Sequence, residues 1–294
     1  MDKPQSTDKV AGKITDKIVF TKQTATFLLK EALRARETIE ASLNLGKSKT
    51  KIVVRNGFFE VLGQRVEIRK LERLKENTIY TIEEEKVLAV ELFSEKTNLY
   101  YKLRPTKDWP TLMLSSVPMH RFVSASPKES ATRMVELIKP VKGKVLDTCG
   151  GLGYTAIISA NSGAGKVICY EIDESVLEMA KYNPYSKELF ENEKIELRHE
   201  SVLEGIKNLP NESFDRIIHD PPTMSFAKEL YQKEFYDELF RVLKKGGKLY
   251  HYAPNPKKTK GAEFWKTIIK ILTKSGFANA DYVKTASGIT AQKL

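Results

Sequence analysis

Apolar residues follow two different patterns along the chain. From Val145 onward, short and almost continuously apolar runs ("KVLDT", "KVICYEI", "KIELRHE", "FDRIIHD", "GKLYHYA") alternate with stretches of helical spacing. Such runs suit parallel strands covered on both faces, and the alternation predicts a doubly wound α/β sheet. Helices are expected after Gly153, after Asp173, around Val202 to Lys207, across Glu229 to Lys245 and around Glu263 to Ser275. Two further strands, "ADYVKT" and "GITAQKL", have a Gly turn between them and bring the total to seven.

The first third reads differently. Residues up to about Lys17 are polar and expected to fray. From Thr21 to about Leu45, Phe27, Leu28, Leu33 and Ile39 recur at approximately helical spacing, with Gly46 as a stop. "TKIVVRN", a short helix around "RVEIRKLERLKEN", and strand-like "TIYTI", "KVLAVELF" and "NLYYKL" complete a smaller α+β domain. A crossover rich in Pro and Ser leads into "SPKESATRMVELIKP", where Ser126 and Glu129 have capping-box spacing and Pro127 takes the first helical position. The expected division is residues 1–118 for the N-terminal domain and 119–294 for the C-terminal one.

Composition narrows the function classes. The 294 residues can bury a sizeable core in two domains. No run approaches the roughly 18 apolar residues of a membrane helix, and the N-terminus lacks the apolar centre of a signal peptide, so a cytoplasmic protein is expected. A net charge of +11 favours polyanionic partners, RNA in particular; the competing reading is a Lys-rich surface that serves solubility or thermal stability. Cys149 and Cys169 lie in or beside apolar segments, so neither a disulfide framework nor a metal is expected.

The candidate chemistry begins at "VLDTCGGLGYTA". A strand, a glycine-rich turn and a helix start follow in order, and Gly150, Gly151 and Gly153 let the backbone approach a ligand. The loop alone also fits a dinucleotide enzyme. Asp147 discriminates, because an acid just before the glycines repels a pyrophosphate and attracts the cationic amino-acid end of S-adenosylmethionine. Glu171, at the end of the second strand, is placed for ribose hydroxyls, and Glu200 and Ser201, after the third, for the adenine edge. The alternative is that these acids cap the helices that follow them. Cys149 has no identifiable base and reads as a packing residue.

Residues 141–294 resemble the class I S-adenosylmethionine-dependent methyltransferases, with Cys149 in place of the first glycine of their D-x-G-x-G-x-G pattern. "MHRF", "VLDTCGGLGYTA", "NPYS", "FDRIIHDPP" and "ELFRVLKKGGKLYHY" are similar, more narrowly, to a set of predicted archaeal methyltransferases. The resemblance implies S-adenosylmethionine as cofactor, held by Asp147, Cys149, Gly150, Gly151, Gly153, Tyr154, Glu171, Ile172, Glu200 and Ser201.

The fourth strand ends on Asp220, Pro221 and Pro222. A carboxylate accepting one N–H of an amine and the Pro221 carbonyl accepting the other would concentrate the nitrogen lone pair beside the sulfonium methyl. This resembles the D-P-P-aromatic motif of amino-methyltransferases, except that Thr223 stands where those enzymes stack an aromatic ring. Phe226, Tyr252 or Trp265 would then take over the stacking, or Thr223 would hydrogen-bond the base. By strand alternation His219 points away from Asp220 and reads as structural, whereas Tyr252, after His251, faces the site. His120 and Arg121, in "MHRF", are candidate substrate contacts, Asn183 a candidate site residue, and the Lys-rich loop Asn255 to Gly261 a candidate phosphate contact. The expected function is N-methylation of an exocyclic amine in RNA, foremost N4 of cytidine in ribosomal RNA, with the N-terminal domain recognising RNA. The alternatives are N2-guanosine or N6-adenosine methylation, a small-amine or protein-amide N-methyltransferase (the basic charge counting against a cationic amine), an RNA-binding scaffold without chemistry, and a nicotinamide dehydrogenase.

Overall fold

The computed structural model describes residues 17–120, 122–254 and 264–294. Expectations that fall on residues 1–16, on Arg121 and on the loop from Asn255 to Gly261 lie outside the described residues. The chain forms two compact units. The larger contains Lys128–Glu174 and Glu188–Leu294; the smaller contains the described residues 17–127 together with Ser175–Lys187.

The larger unit is built on the seven-stranded sheet expected of a class I methyltransferase-like, doubly wound fold. Its strands are β1 (Lys144–Asp147), β2 (Lys166–Tyr170), β3 (Ile195–Arg198), β4 (Phe214–His219), β5 (Leu243–Tyr252), β6 (Ala278–Val283) and β7 (Gly288–Gln292). Their order across the sheet is β3-β2-β1-β4-β5-β7-β6. The first five run parallel, and β7 is antiparallel to both β5 and β6. Strand order reverses at β1, so the C-terminal ends of β1 and β4 flank the crevice where such sheets bind ligands.

The apolar runs make these strands because both faces are covered. Leu146, Ile168, Tyr170, Phe214, Ile217 and Leu249 pack in one core with Phe235, Tyr236, Leu239 and Val242 of the helix Lys233–Val242 and with Ile268 and Leu272 of the helix Phe264–Lys274. The helix expected across Glu229 to Lys245 is shorter than its pattern. A 3-10 turn, Lys228–Tyr231, precedes it, and Leu243 already pairs with Phe214 as the start of β5.

The smaller unit is mostly β. The helix Lys22–Leu33 and most of the helix Glu174–Lys181 accompany antiparallel sheets, one of them joining Thr38–Ala41, Thr50–Arg55, Phe58–Val61 and Gln64–Glu67. The helix expected to reach Leu45 stops at Leu33. Ala35 adopts a positive φ of 54°, and Ile39 and Ala41 are buried in alternation with exposed Thr38 and Glu40, a period of two and not 3.6. "RVEIRKLERLKEN" is likewise divided between the end of a strand and one 3-10 turn, Ile68–Leu71. No described helix is long and apolar enough to cross a membrane.

Candidate active site

Five strand ends of the larger unit carry the candidate residues. Asp147 closes β1 between Cys169 and Ile218 and is fully buried. Thr155 Oγ1 donates to its Oδ2 at 2.6 Å, whereas Oδ1, equally buried, has no hydrogen-bond partner. Burial raises the Asp147 pKa to about 6, against the opposing pull of the Thr155 hydroxyl and the Cys149 amide. An unpaired buried carboxylate oxygen is costly unless a cationic or N–H group of a ligand reaches it.

The glycine loop then folds back on β2. The Gly150 N–H donates to the Tyr170 carbonyl and the Gly151 N–H to Glu171 Oε2, both at 2.7 Å. Glu171 Oε1 accepts the Asp173 N–H at 2.8 Å. Both oxygens are thereby oriented by backbone amides, and each retains lone-pair capacity for a ribose hydroxyl. Burial lifts the Glu171 pKa to about 7. Ile172 beside it is 63% exposed, an apolar surface a nucleobase can cover. Glu200 is half-buried after β3, and Ser201 occupies the N-cap position of the short helix Val202–Gly205. Tyr154 is buried at the start of the helix Tyr154–Asn161.

Gly153 adopts φ 80°, and a Cβ there would lie 2.8–2.9 Å from Leu189 side-chain atoms. Gly153→Ala is therefore expected to cost about 1–3 kcal/mol from overpacking and positive-φ strain. Chemical denaturation checks this; a midpoint equal to the parent's would mean that the loop and Leu189 part freely.

At the end of β4, burial and the charge of Asp147 push the Asp220 pKa up to about 7. Burial foremost, then Glu171, Asp147 and Asp220, drives the Cys149 thiol up as well, which keeps it neutral and unsuited to nucleophilic attack. Three carboxyl groups thus converge on one glycine loop. Pro221 is buried and Pro222 exposed, and the Tyr231 hydroxyl donates to the Pro222 carbonyl at 2.8 Å. No described residue donates to the Pro221 carbonyl.

Thr223 is exposed, its hydroxyl 2.9 Å from that of Ser225, and Phe226 is 52% exposed on the same turn. Trp265 stacks on Tyr282 at 5.0 Å. Tyr252 ends β5, half-buried. The ring that feels the Asp220 charge and is 4% exposed is Tyr231, which sequence reasoning missed; its only signal is an aromatic nine residues beyond Pro222. His120 and Asn183 belong to the smaller unit. His120 Nδ1 lies 3.2 Å from Thr111 Oγ1 and burial pulls its pKa down to about 4, while Asn183 Oδ1 accepts the Tyr185 N–H. Among the described residues no group of three or more His, Cys, Asp or Glu is arranged to hold a metal ion.

The raised carboxyl pKa values carry a sign for stability. Asp147, Glu171 and Asp220 hold a proton more tightly when folded than at their ordinary values of 3.8 and 4.5. Their contribution is complete below those values and is lost as pH rises through about 6 to 7. Expected is a melting temperature that declines over this window more steeply in the parent than in an Asp147→Asn/Asp220→Asn double variant. Parallel profiles in scanning calorimetry would place these groups in water.

Comparison with known proteins sets this geometry in a family. The spermine/spermidine synthase domain matches residues 129–285, more than half of the chain. An uncharacterized protein of Methanocaldococcus jannaschii is 44% identical over 220 residues, 74% of each chain. A polyamine aminopropyltransferase of Saccharolobus islandicus is 31% identical over 167 residues, 53% of this chain and 54% of that one. Spermidine synthase from Thermotoga maritima shares the fold with a TM-score of 0.54 at 20% identity, covering 74% of both chains.

These findings overturn two expectations: RNA as partner, and RNA methylation, foremost at N4 of cytidine in ribosomal RNA. The error has a physical source. Net charge sums the whole surface, whereas the field a ligand meets is set within a Debye length of about 8–10 Å. Around the strand ends Asp147, Glu171 and Asp220 make that field acidic, so the net charge is no guide to what enters there. The family model covers the strands and the glycine loop that carry Asp147, Glu171 and Asp220, and the chain belongs to the spermine/spermidine synthase domain family.

Proposed function

We propose that this protein transfers the aminopropyl group of decarboxylated S-adenosylmethionine to an amine nitrogen of a diamine or polyamine. The observation that carries the reading is the convergence of Asp147, Glu171 and Asp220 on the glycine loop, with Asp147 Oδ1 buried and unpaired. The donor carries a sulfonium and an ammonium and no carboxylate. Its ammonium suits Asp147 Oδ1, and its ribose hydroxyls suit Glu171.

Asp220 then acts on the acceptor. An aliphatic ammonium with a pKa near that of lysine, about 10.4, has no lone pair to donate at neutral pH. Ionised Asp220 takes the proton from the acceptor nitrogen, and the Pro221 carbonyl is free to accept a remaining N–H. The nitrogen lone pair forms the new N–C bond to the propyl carbon on sulfur. The C–S bond breaks with its electron pair going to sulfur, which leaves as the neutral thioether methylthioadenosine. Pro221 and Pro222 stiffen the loop that holds this approach in line.

Incubation with decarboxylated S-adenosylmethionine and a panel of diamines and triamines, read by mass spectrometry, tests the reading. Methylthioadenosine and an acceptor lengthened by one aminopropyl unit are expected. A parallel arm with S-adenosylmethionine that yields methylated amine, with nothing formed from the decarboxylated donor, overturns it.

A further inference from the structure

Each of the two acids at the strand switch has a neighbour on the opposite side of its strand. Thr148 follows Asp147 and His219 precedes Asp220, and these two side chains meet each other: Thr148 Oγ1 lies 2.7 Å from His219 Nδ1. The Thr148 N–H also donates to the Ile218 carbonyl at 3.1 Å. On its other side, His219 Nε2 lies 3.2 Å from the Leu230 carbonyl oxygen. A carbonyl only accepts, so Nε2 carries the proton. The Thr148 hydroxyl has one proton and two acceptors in reach, the Ile218 carbonyl at 3.3 Å and Nδ1 at 2.7 Å; Nδ1, closer and unprotonated, takes it.

The surroundings hold this tautomer. His219 is fully buried, with Phe235 at 5.2 Å and the edge of His251 at 4.6 Å. His251 does not compete for either bond: its Nδ1–H donates to the Tyr252 carbonyl at 2.7 Å and its Nε2 accepts from the Tyr236 hydroxyl at 2.8 Å. Leu230 is the far end of the turn that begins at Pro221, and Tyr231 pins the near end through the Pro222 carbonyl. One imidazole therefore joins the glycine loop at one nitrogen and the loop after Asp220 at the other.

We propose that His219 is a positioning residue whose two ring nitrogens set, separately, the spacing of Asp147 from Asp220 and the seat of the acceptor loop. The assignment of donor and acceptor to those two acids rests on aminopropyl transfer. The Thr148 bond governs how the acceptor nitrogen lines up with the donor carbon, and so affects turnover. The Leu230 bond governs the wall of the acceptor site, and so affects acceptor affinity. A histidine that merely filled the core would lower stability without dividing these two effects.

Paired variants separate them. His219→Asn keeps an acceptor near Nδ1 and loses the donor to Leu230; His219→Gln keeps a donor near Nε2 and loses the bond from Thr148. Thr148→Val removes the hydroxyl at nearly constant volume and leaves the histidine in place. His219→Asn is expected to raise the acceptor KM about 2- to 10-fold with kcat nearly unchanged, the worth of one hydrogen bond. His219→Gln and Thr148→Val are expected to lower kcat about 10- to 100-fold, the cost of a misaligned attack, with KM nearly unchanged. Amide exchange across residues 221–230 should quicken in His219→Asn and not in Thr148→Val. Variants that lose thermal stability while kcat and KM stay within about twofold, or that shift both parameters together, overturn the proposal. If the parent forms no aminopropyl product, the functional reading fails on its own, and the exchange contrast still decides: unequal protection upholds the tie through His219 and equal protection removes it.

Discussion

Asp220→Asn is expected to lower turnover by about 10²- to 10⁴-fold, the usual worth of a positioned proton acceptor, while donor affinity stays within about twofold. Asparagine keeps the volume and can still accept an N–H, so what disappears is the capacity to take the proton. The parent should also show a limb of kcat/KM that rises with pH through about 7, because Asp220 is pushed up to about 7 by burial and by Asp147 and accepts a proton only when ionised. The acceptor's own ammonium adds a slope at higher pH in both proteins. The difference between the two profiles is therefore the readout, taken from methylthioadenosine release. A variant that turns over within about fivefold of the parent would return the proton to water and reduce Asp220 to a hydrogen-bonding wall.

Asp147→Asn is expected to weaken decarboxylated S-adenosylmethionine by about 2–5 kcal/mol, roughly 30-fold or more, because the substitution strips one partner from a buried charge pair. Methylthioadenosine, the product without the ammonium, should bind parent and variant almost equally. Calorimetric titration of both ligands measures the contrast. An equal loss for the two would mean that Asp147 serves the loop through Thr155 Oγ1 and does not meet the donor's charge.

The sheet was legible because parallel strands covered on both faces must be apolar almost throughout. "KVLDT" and "FDRIIH" coincide with β1 and β4, and once those strands are placed Asp147 and Asp220 stand at the switch point without further information. The helix that ends at Leu33 was overdrawn because Ile39 lies about three helical turns beyond Leu28, and over so short a stretch periods of two and 3.6 share positions. The reaction we propose was not legible at all. Methyl and aminopropyl transfer break a bond to the same kind of sulfonium, and a carboxylate beside two prolines serves either. What differs is which carbon on sulfur faces the nitrogen and whether a cation stands ready for the donor's carboxylate, and both depend on side chains brought together from distant parts of the chain. Tyr231 and the pairing of Thr148 with His219 were hidden for the same reason, since each depends on how the turn after Pro222 returns to the sheet.

The smaller unit recruits Ser175–Lys187 from the middle of the other unit's sequence, where Tyr182 accepts Lys17 over its ring and the Tyr185 hydroxyl reaches the Leu45 carbonyl. On the ribosome, then, the amino-terminal portion leaves the exit tunnel before its last partners have been translated. At about 5–20 residues per second it waits several seconds for them. Throughout that wait Tyr182 and Tyr185 do not yet exist to complete it, so the smaller unit closes only after β1 and β2 of the larger one have been made.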